Sequence, residues 1–139
     1  MAKTIDAASL RLKIGGDWID RSGAWWLQAP PGQVRGLARQ MLEGEARFAS
    51  VVAAPAAGGA LRVSWHWDVY GTLLSVESML AAGGLMPTIA DIYPGADWAE
   101  RETRDYFAVT FEGRESTPPL MLRDTDAPGI LLARTGARA

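Results

Sequence analysis

Residues 62–70 read Arg-Val-Ser-Trp-His-Trp-Asp-Val-Tyr, and their alternation decides the fold. Val63, Trp65, Trp67 and Val69 point one way; Arg62, Ser64, His66, Asp68 and Tyr70 point the other. A period of two is the pattern of a half-buried strand, because successive side chains leave a strand on opposite faces. Gly71 interrupts the run, and residues 72–80 read as a further strand that ends before Gly83 and Gly84. Upstream, residues 47–54 are apolar and stop at Pro55, and the Ala-Pro-Ala-Ala-Gly-Gly run to Gly59 reads as a turn.

Further upstream the period changes. Val34, Leu37, Ala38, Met41 and Leu42 recur at i, i+3, i+4, i+7 and i+8, the stripe of an amphipathic helix, with Pro31 near its start. Residues 24–27, Ala-Trp-Trp-Leu, read as a first strand. A helix beside antiparallel strands predicts an α+β domain of two layers. The sheet is mostly antiparallel, one long amphipathic helix covers it, a second helix carries a motif, and an extended C-terminal tail follows. Residues 1–113 form this single domain, and residues 114–139 form a tail that docks on a partner subunit. The tail is rich in Pro and Gly yet apolar at Leu120, Met121, Leu122, Ile130, Leu131 and Leu132, which suits either docking or folding back over its own sheet.

The chain has 139 residues, enough for one domain with a core. Hydrophobic residues make up 48% and charged residues 22%, a globular composition. A net charge of −2 gives no electrostatic reason to expect nucleic acid. No apolar run is long enough to span a bilayer, and the first residues lack the apolar core of a secretory signal, so the expected location is cytoplasmic. With no cysteine and one histidine, the chain offers neither thiolate clusters nor a conventional metal site. Six tryptophans raise the expectation of a binding surface, although several are expected in the core.

Residues 97–107 read Asp-Trp-Ala-Glu-Arg-Glu-Thr-Arg-Asp-Tyr-Phe. Asp97 with Glu100 has the spacing of a capping box, predicting a helix over 98–107. Glu100 and Arg104 are spaced i, i+4, as in a helix-stabilising ion pair. The interleaved Arg101 and Arg104 argue against acid–base chemistry, because nearby cations lower carboxylate pKa values. They suit bidentate contacts with a partner, held rigid by Trp98, Tyr106 and Phe107. No dinucleotide fingerprint, P-loop or nucleophile elbow is present. His66 and Asp68, on one strand face, are the remaining candidate for a base and its orienting acid.

From Glu100 onward the chain resembles the C-subunit family of NADH-quinone oxidoreductase, the accessory peripheral-arm component of respiratory complex I, together with its counterparts in energy-converting [NiFe] hydrogenases. The resemblance rests on Glu100-Arg101-Glu102, Asp105, Tyr106-Phe107, Arg114, Pro118 and Leu120-Met121, with Trp98 and the lead-in from Pro87-Thr88-Ile89 to Tyr93-Pro94. It covers about residues 85–122. Arg114 stands where the family usually has His or Lys, Ala108 where complex I members usually have Gly, and the Pro-Leu-Arg-Lys-Asp extension of many complex I members is missing. These departures point to the hydrogenase branch. The resemblance implies a non-catalytic structural and assembly subunit on the cytoplasmic side of a membrane-bound oxidoreductase. It implies no cofactor in this chain, with iron–sulfur clusters and a [NiFe] site in its partners. The implied partners are the large nickel-site or quinone-site subunit and the small iron–sulfur subunit. The implied contact residues are Trp98, Glu100, Arg101, Glu102, Asp105, Tyr106, Phe107, Arg114, Leu120 and Leu122. The C-subunit of a proton-pumping NADH-quinone oxidoreductase and a generic protein-interaction module are the alternatives.

Overall fold

The computed structural model describes residues 6–132. The strand signals at the centre of the sequence become a meander. β3 (Arg47–Pro55), β4 (Leu61–Val69) and β5 (Thr72–Leu80) pair antiparallel in succession. β2 (Ala24–Gln28) joins β5 in parallel, with Trp25 opposite Leu74 and Gln28 opposite Glu77, and β1 (Ile19–Arg21) closes the edge as a hairpin with β2. The sheet order is β1-β2-β5-β4-β3. The α+β architecture with a mostly antiparallel sheet is as the sequence predicts; the parallel pair at β2 and the hairpin strand β1 are additions to it.

Trp65 and Trp67 are wholly buried, as are Val63, Leu74 and Val76 beside them. Burying each such side chain contributes about 1.5–3 kcal/mol, so this face of the sheet dominates the core. α2 (Val34–Glu43) supplies Val34, Leu37, Ala38 and Met41, four of the five residues of the predicted stripe; Leu42 is exposed. Phe48, Trp67 and Tyr93 meet as an aromatic cluster with centroids 5.8–6.2 Å apart. The Tyr93 hydroxyl donates to the Ala46 carbonyl at 2.8 Å, which offsets the polar cost of burying that ring.

α1 (Ala7–Ile14) is a helix that the hydrophobic pattern does not announce. It buries only Ala7 and Leu10 and starts at Asp6, whose carboxylate accepts the Ser9 N–H at 2.7 Å. A second, two-stranded parallel sheet joins β6 (Leu85–Pro87) to β7 (Thr110–Glu112). Between them lies α3 (Ala96–Phe107), which packs against β3. The capping expectation is corrected here. Gly95 occupies the N-cap without a side-chain bond, Asp97 lies inside the first turn, and the Glu100 carboxylate turns inward. No helix among the described residues is long and apolar enough to cross a membrane.

α3 ends at Ala108, which adopts a left-handed conformation at φ 56° and donates its N–H to the Arg104 carbonyl. Glycine takes that conformation without the Cβ clash that alanine suffers. This gives a physical reason for the glycine usual at this place in the resembling family. Ala108→Gly is therefore expected to raise stability by about 1 kcal/mol, measured as the urea midpoint at unchanged slope.

Candidate functional site

Glu100 is wholly buried in the wall between α3 and the turn that follows β6. Its carboxylate accepts from the Thr88 hydroxyl at 2.5 Å and the Ile89 N–H at 2.8 Å. Arg114, arriving after β7, donates through Nη1 to Glu100 at 3.1 Å and through Nη2 to Asp97. Its Nε donates to the Ser116 carbonyl at 2.7 Å. Arg35 of α2 holds the same turn from outside, donating to the Thr88 carbonyl at 2.7 Å while clamping Asp91. Burial pushes the Glu100 carboxyl above its ordinary value, and the bonds from Thr88, Ile89 and Arg114 offset only part of that push. The expectation that interleaved arginines hold this carboxylate low is thus corrected: desolvation wins. Nor does Glu100 pair with Arg104, whose guanidinium turns to Asp105 at 3.3 Å.

Asp105 organises the chain beyond Arg114. One carboxylate oxygen accepts the N–H groups of Leu120, Met121 and Leu122 at 3.0, 2.7 and 3.3 Å. Burial pushes this carboxyl upward, but the three amides, with Arg104, outweigh it and leave the pKa below its ordinary value. Arg101 grips the same segment one turn earlier, donating to the Pro118 and Pro119 carbonyls at 3.1 and 2.7 Å. The backbone carbonyl of Asp105 accepts from Gly129, and that of Tyr106 from Leu131. Residues 114–132 thus lie as a strap along α3, and Leu132 at its end packs against the core beside Leu61 and Leu80. Residues 133–139 of the anticipated tail lie outside the described residues.

The predicted contact residues therefore separate into two groups. Glu100 and Asp105 have no exposed surface and bind this chain's own turn and strap. Arg101 and Arg114 are engaged in the same intramolecular bonds. Phe107 packs against the core, and Leu120 and Leu122 are half-buried. Trp98 is 68% exposed, Glu102 is exposed one turn on, and half-buried Tyr106 another turn on donates its hydroxyl to the Met121 sulfur at 3.6 Å. Trp98, Glu102, Tyr106 and Met121 form an outward ridge. Thr88, Asp97 and Arg35 are the partners that sequence reasoning missed; the Thr88-Ile89 lead-in was the available signal.

His66 and Asp68 do not form a base and its orienter. His66 is held by Ser64 at 2.9 Å and Ser75 at 2.7 Å, whereas Asp68 accepts the Gly71 N–H at 2.9 Å and faces Arg47. Burial lowers the His66 pKa, so the ring is neutral at pH 7. Among the described residues no cluster of three or more His, Cys, Asp and Glu side chains could hold a metal ion.

A family model described as respiratory-chain NADH dehydrogenase, 30 Kd subunit, matches residues 28–130. The chain is 56% identical over 36 residues to the second C/D-subunit of NADH-quinone oxidoreductase from Aquifex aeolicus, covering 26% of this chain and 6% of the relative. It is 58% identical over 38 residues to the C/D-subunit from Rhodopseudomonas palustris, covering 24% and 6%. It is 41% identical over 39 residues to the C-subunit from Salinispora tropica, covering 28% and 16%. The chain therefore matches only a small part of each relative's length.

Proposed function

We propose, from the chain's membership of the respiratory-chain NADH dehydrogenase 30 Kd subunit family, that it is a non-catalytic assembly subunit of a complex-I-like oxidoreductase. The observation that carries this reading is the division of labour on α3. The charged motif is consumed in clamping the strap, and the clamp holds Trp98, Glu102, Tyr106 and Met121 outward as a rigid ridge. A tryptophan and a methionine at 68% and 53% exposure, on a scaffold fixed by buried ion pairs, suit an interface hot spot.

The partner assigned to this ridge is the large subunit of the complex, with the small iron–sulfur subunit adjacent. Two of the relatives bear the joint designation C/D, which supports a close spatial association between the part that this chain resembles and its neighbour. The redox centres, iron–sulfur clusters and any [NiFe] site, belong to those partners; this chain has no cysteine to hold them. Its place is peripheral, on the cytoplasmic face of the membrane, reached through the complex.

A second reading, the hydrogenase branch, rests on Arg114 and Ala108, two of the departures from the usual complex I pattern. Arg114 performs the cationic role that a His or Lys would perform toward Glu100, so it fits either branch. The relatives named above favour the NADH-quinone oxidoreductase branch.

The test is retention in the assembled complex. Trp98→Ala with Met121→Ala is expected to weaken association by roughly 30-fold, about 2 kcal/mol, while the unfolding free energy of the isolated chain stays within about 0.5 kcal/mol of wild type. Affinity purification through the tagged chain, followed by quantification of the large and iron–sulfur subunits, reads the result. Full recovery of both subunits with the double variant would rule out the ridge as the contact.

A further inference from the structure

The sheet buries the face that carries Trp65 and Trp67; its other face is open at its margins, around a centre where Ser64, Ser75 and Glu77 are buried. Register places the side chains of that open face in rows. One row runs from Ile19 through Trp26, Ser75 and His66 to Ser50, and the next through Gln28, Glu77, Ser64 and Val52. Ile19, Val52 and Met79 stand 54%, 50% and 47% exposed around this centre. The polar groups at the centre are already satisfied. Both His66 ring nitrogens have hydroxyl partners, and Glu77 accepts from Gln28 at 2.5 Å. Covering the centre would therefore strand neither the His66 ring nor the Gln28–Glu77 pair.

The charges on this face are layered. Glu77 and Asp68 lie low, 8% and 30% exposed, whereas their partners Arg62 and Arg47 reach outward, 51% and 80% exposed. Arg21, on the same face, stands over the Trp26 ring at 5.2 Å. The rim is cationic although the chain carries a net charge of −2. We propose that the open face is a second docking surface, taking an amphipathic helix of a neighbouring subunit whose apolar stripe is edged by carboxylates. Ile19, Val52 and Met79 receive the stripe, and Arg21, Arg47 and Arg62 receive the acids. A second copy of this chain is disfavoured, because a twofold contact through this face sets one cationic rim against another. The surface is continuous with the α3 ridge: a slot beside β3 is lined by Val52, Glu102 and Tyr106.

This inference rests on the chain being an assembly subunit. The test places p-benzoylphenylalanine at Val52 and, separately, at Met79 in the full chain within the assembled complex. Irradiation and peptide mass spectrometry then identify what each position touches. Both probes are expected to label one helical segment of another subunit, with Asp or Glu beside its apolar residues. Arg47→Glu with Arg62→Glu is expected to lower retention of that subunit at least about 10-fold near physiological salt, and Arg47→Lys with Arg62→Lys to retain it. Labelling of a second copy, labelling of a basic segment, or no protein adduct in the intact complex would each overturn the proposal. If the Trp98/Met121 variant releases the large subunit while the open face goes unlabelled, the assembly reading survives and this surface fails. If neither set of changes affects the complex, the ridge and this face both fail as contacts.

Discussion

Arg114→Ala is expected to destabilise the fold by about 3–5 kcal/mol. Arg114 is 14% exposed and Glu100 not at all, so the change leaves a carboxylate enclosed without its cation. Asp97 loses a partner as well. The pH dependence identifies the cause. Glu100 has a folded pKa above its unfolded value of 4.5. Such a carboxyl contributes stability that is fully present below the unfolded pKa and lost as the pH rises through the folded one. Removing Arg114 raises the folded pKa further. The deficit of the variant should therefore be smallest below pH 4.5 and should grow above it. Glu100→Gln in the Arg114→Ala background should recover part of the loss at neutral pH and abolish the growth. Urea unfolding across this pH range is the measurement, and a deficit independent of pH would remove Glu100 from the explanation.

Asp105→Ala is expected to cost about 3 kcal/mol, because one buried oxygen accepts three amides and its loss leaves them unsatisfied. The sign with pH differs from the first case. The folded pKa of Asp105 lies below its unfolded value of 3.8, so its contribution is present above pH 3.8 and lost as the pH falls through the folded value. The deficit should thus be constant from neutrality down to about pH 4 and shrink only below it. Amide exchange adds a spatial readout: Leu120, Met121 and Leu122 should lose protection before the β4 and β5 amides do. Unchanged protection at those three positions would show that other contacts hold the strap.

These two acids also mark where the sequence stops being readable. The strands β3, β4 and β5 and the helix α2 announce themselves through period alone, because each buries one face over several repeats. α1 does not, since its burial is confined to Ala7 and Leu10, too little for a periodic signal. Its Asp6–Ser9 cap was the local clue. The β2–β5 pairing joins segments 49 residues apart at Gln28 and Glu77, and nothing local encodes it. Within the site, the identity and spacing of Glu100, Arg101, Glu102 and Asp105 were legible, and so was their clustering on one helix. Which of them face inward was not. That is decided by Thr88 and Arg114 for Glu100, and by residues 120–122 for Asp105, all more than ten positions away. A capping box was the reading that local spacing invites, and a longer-range network took its place.

The parallel seam between β2 and β5 imposes an order on how this chain can be made. β3, β4 and β5 are joined by short turns and can pair as each is completed, whereas β2 sits between β1 and β5. On a ribosome the β1–β2 hairpin therefore waits to be seated, with Trp25 and Trp26 unplaced against β5, until Glu77 has emerged. The earliest-synthesised part of the sheet is the last to be seated.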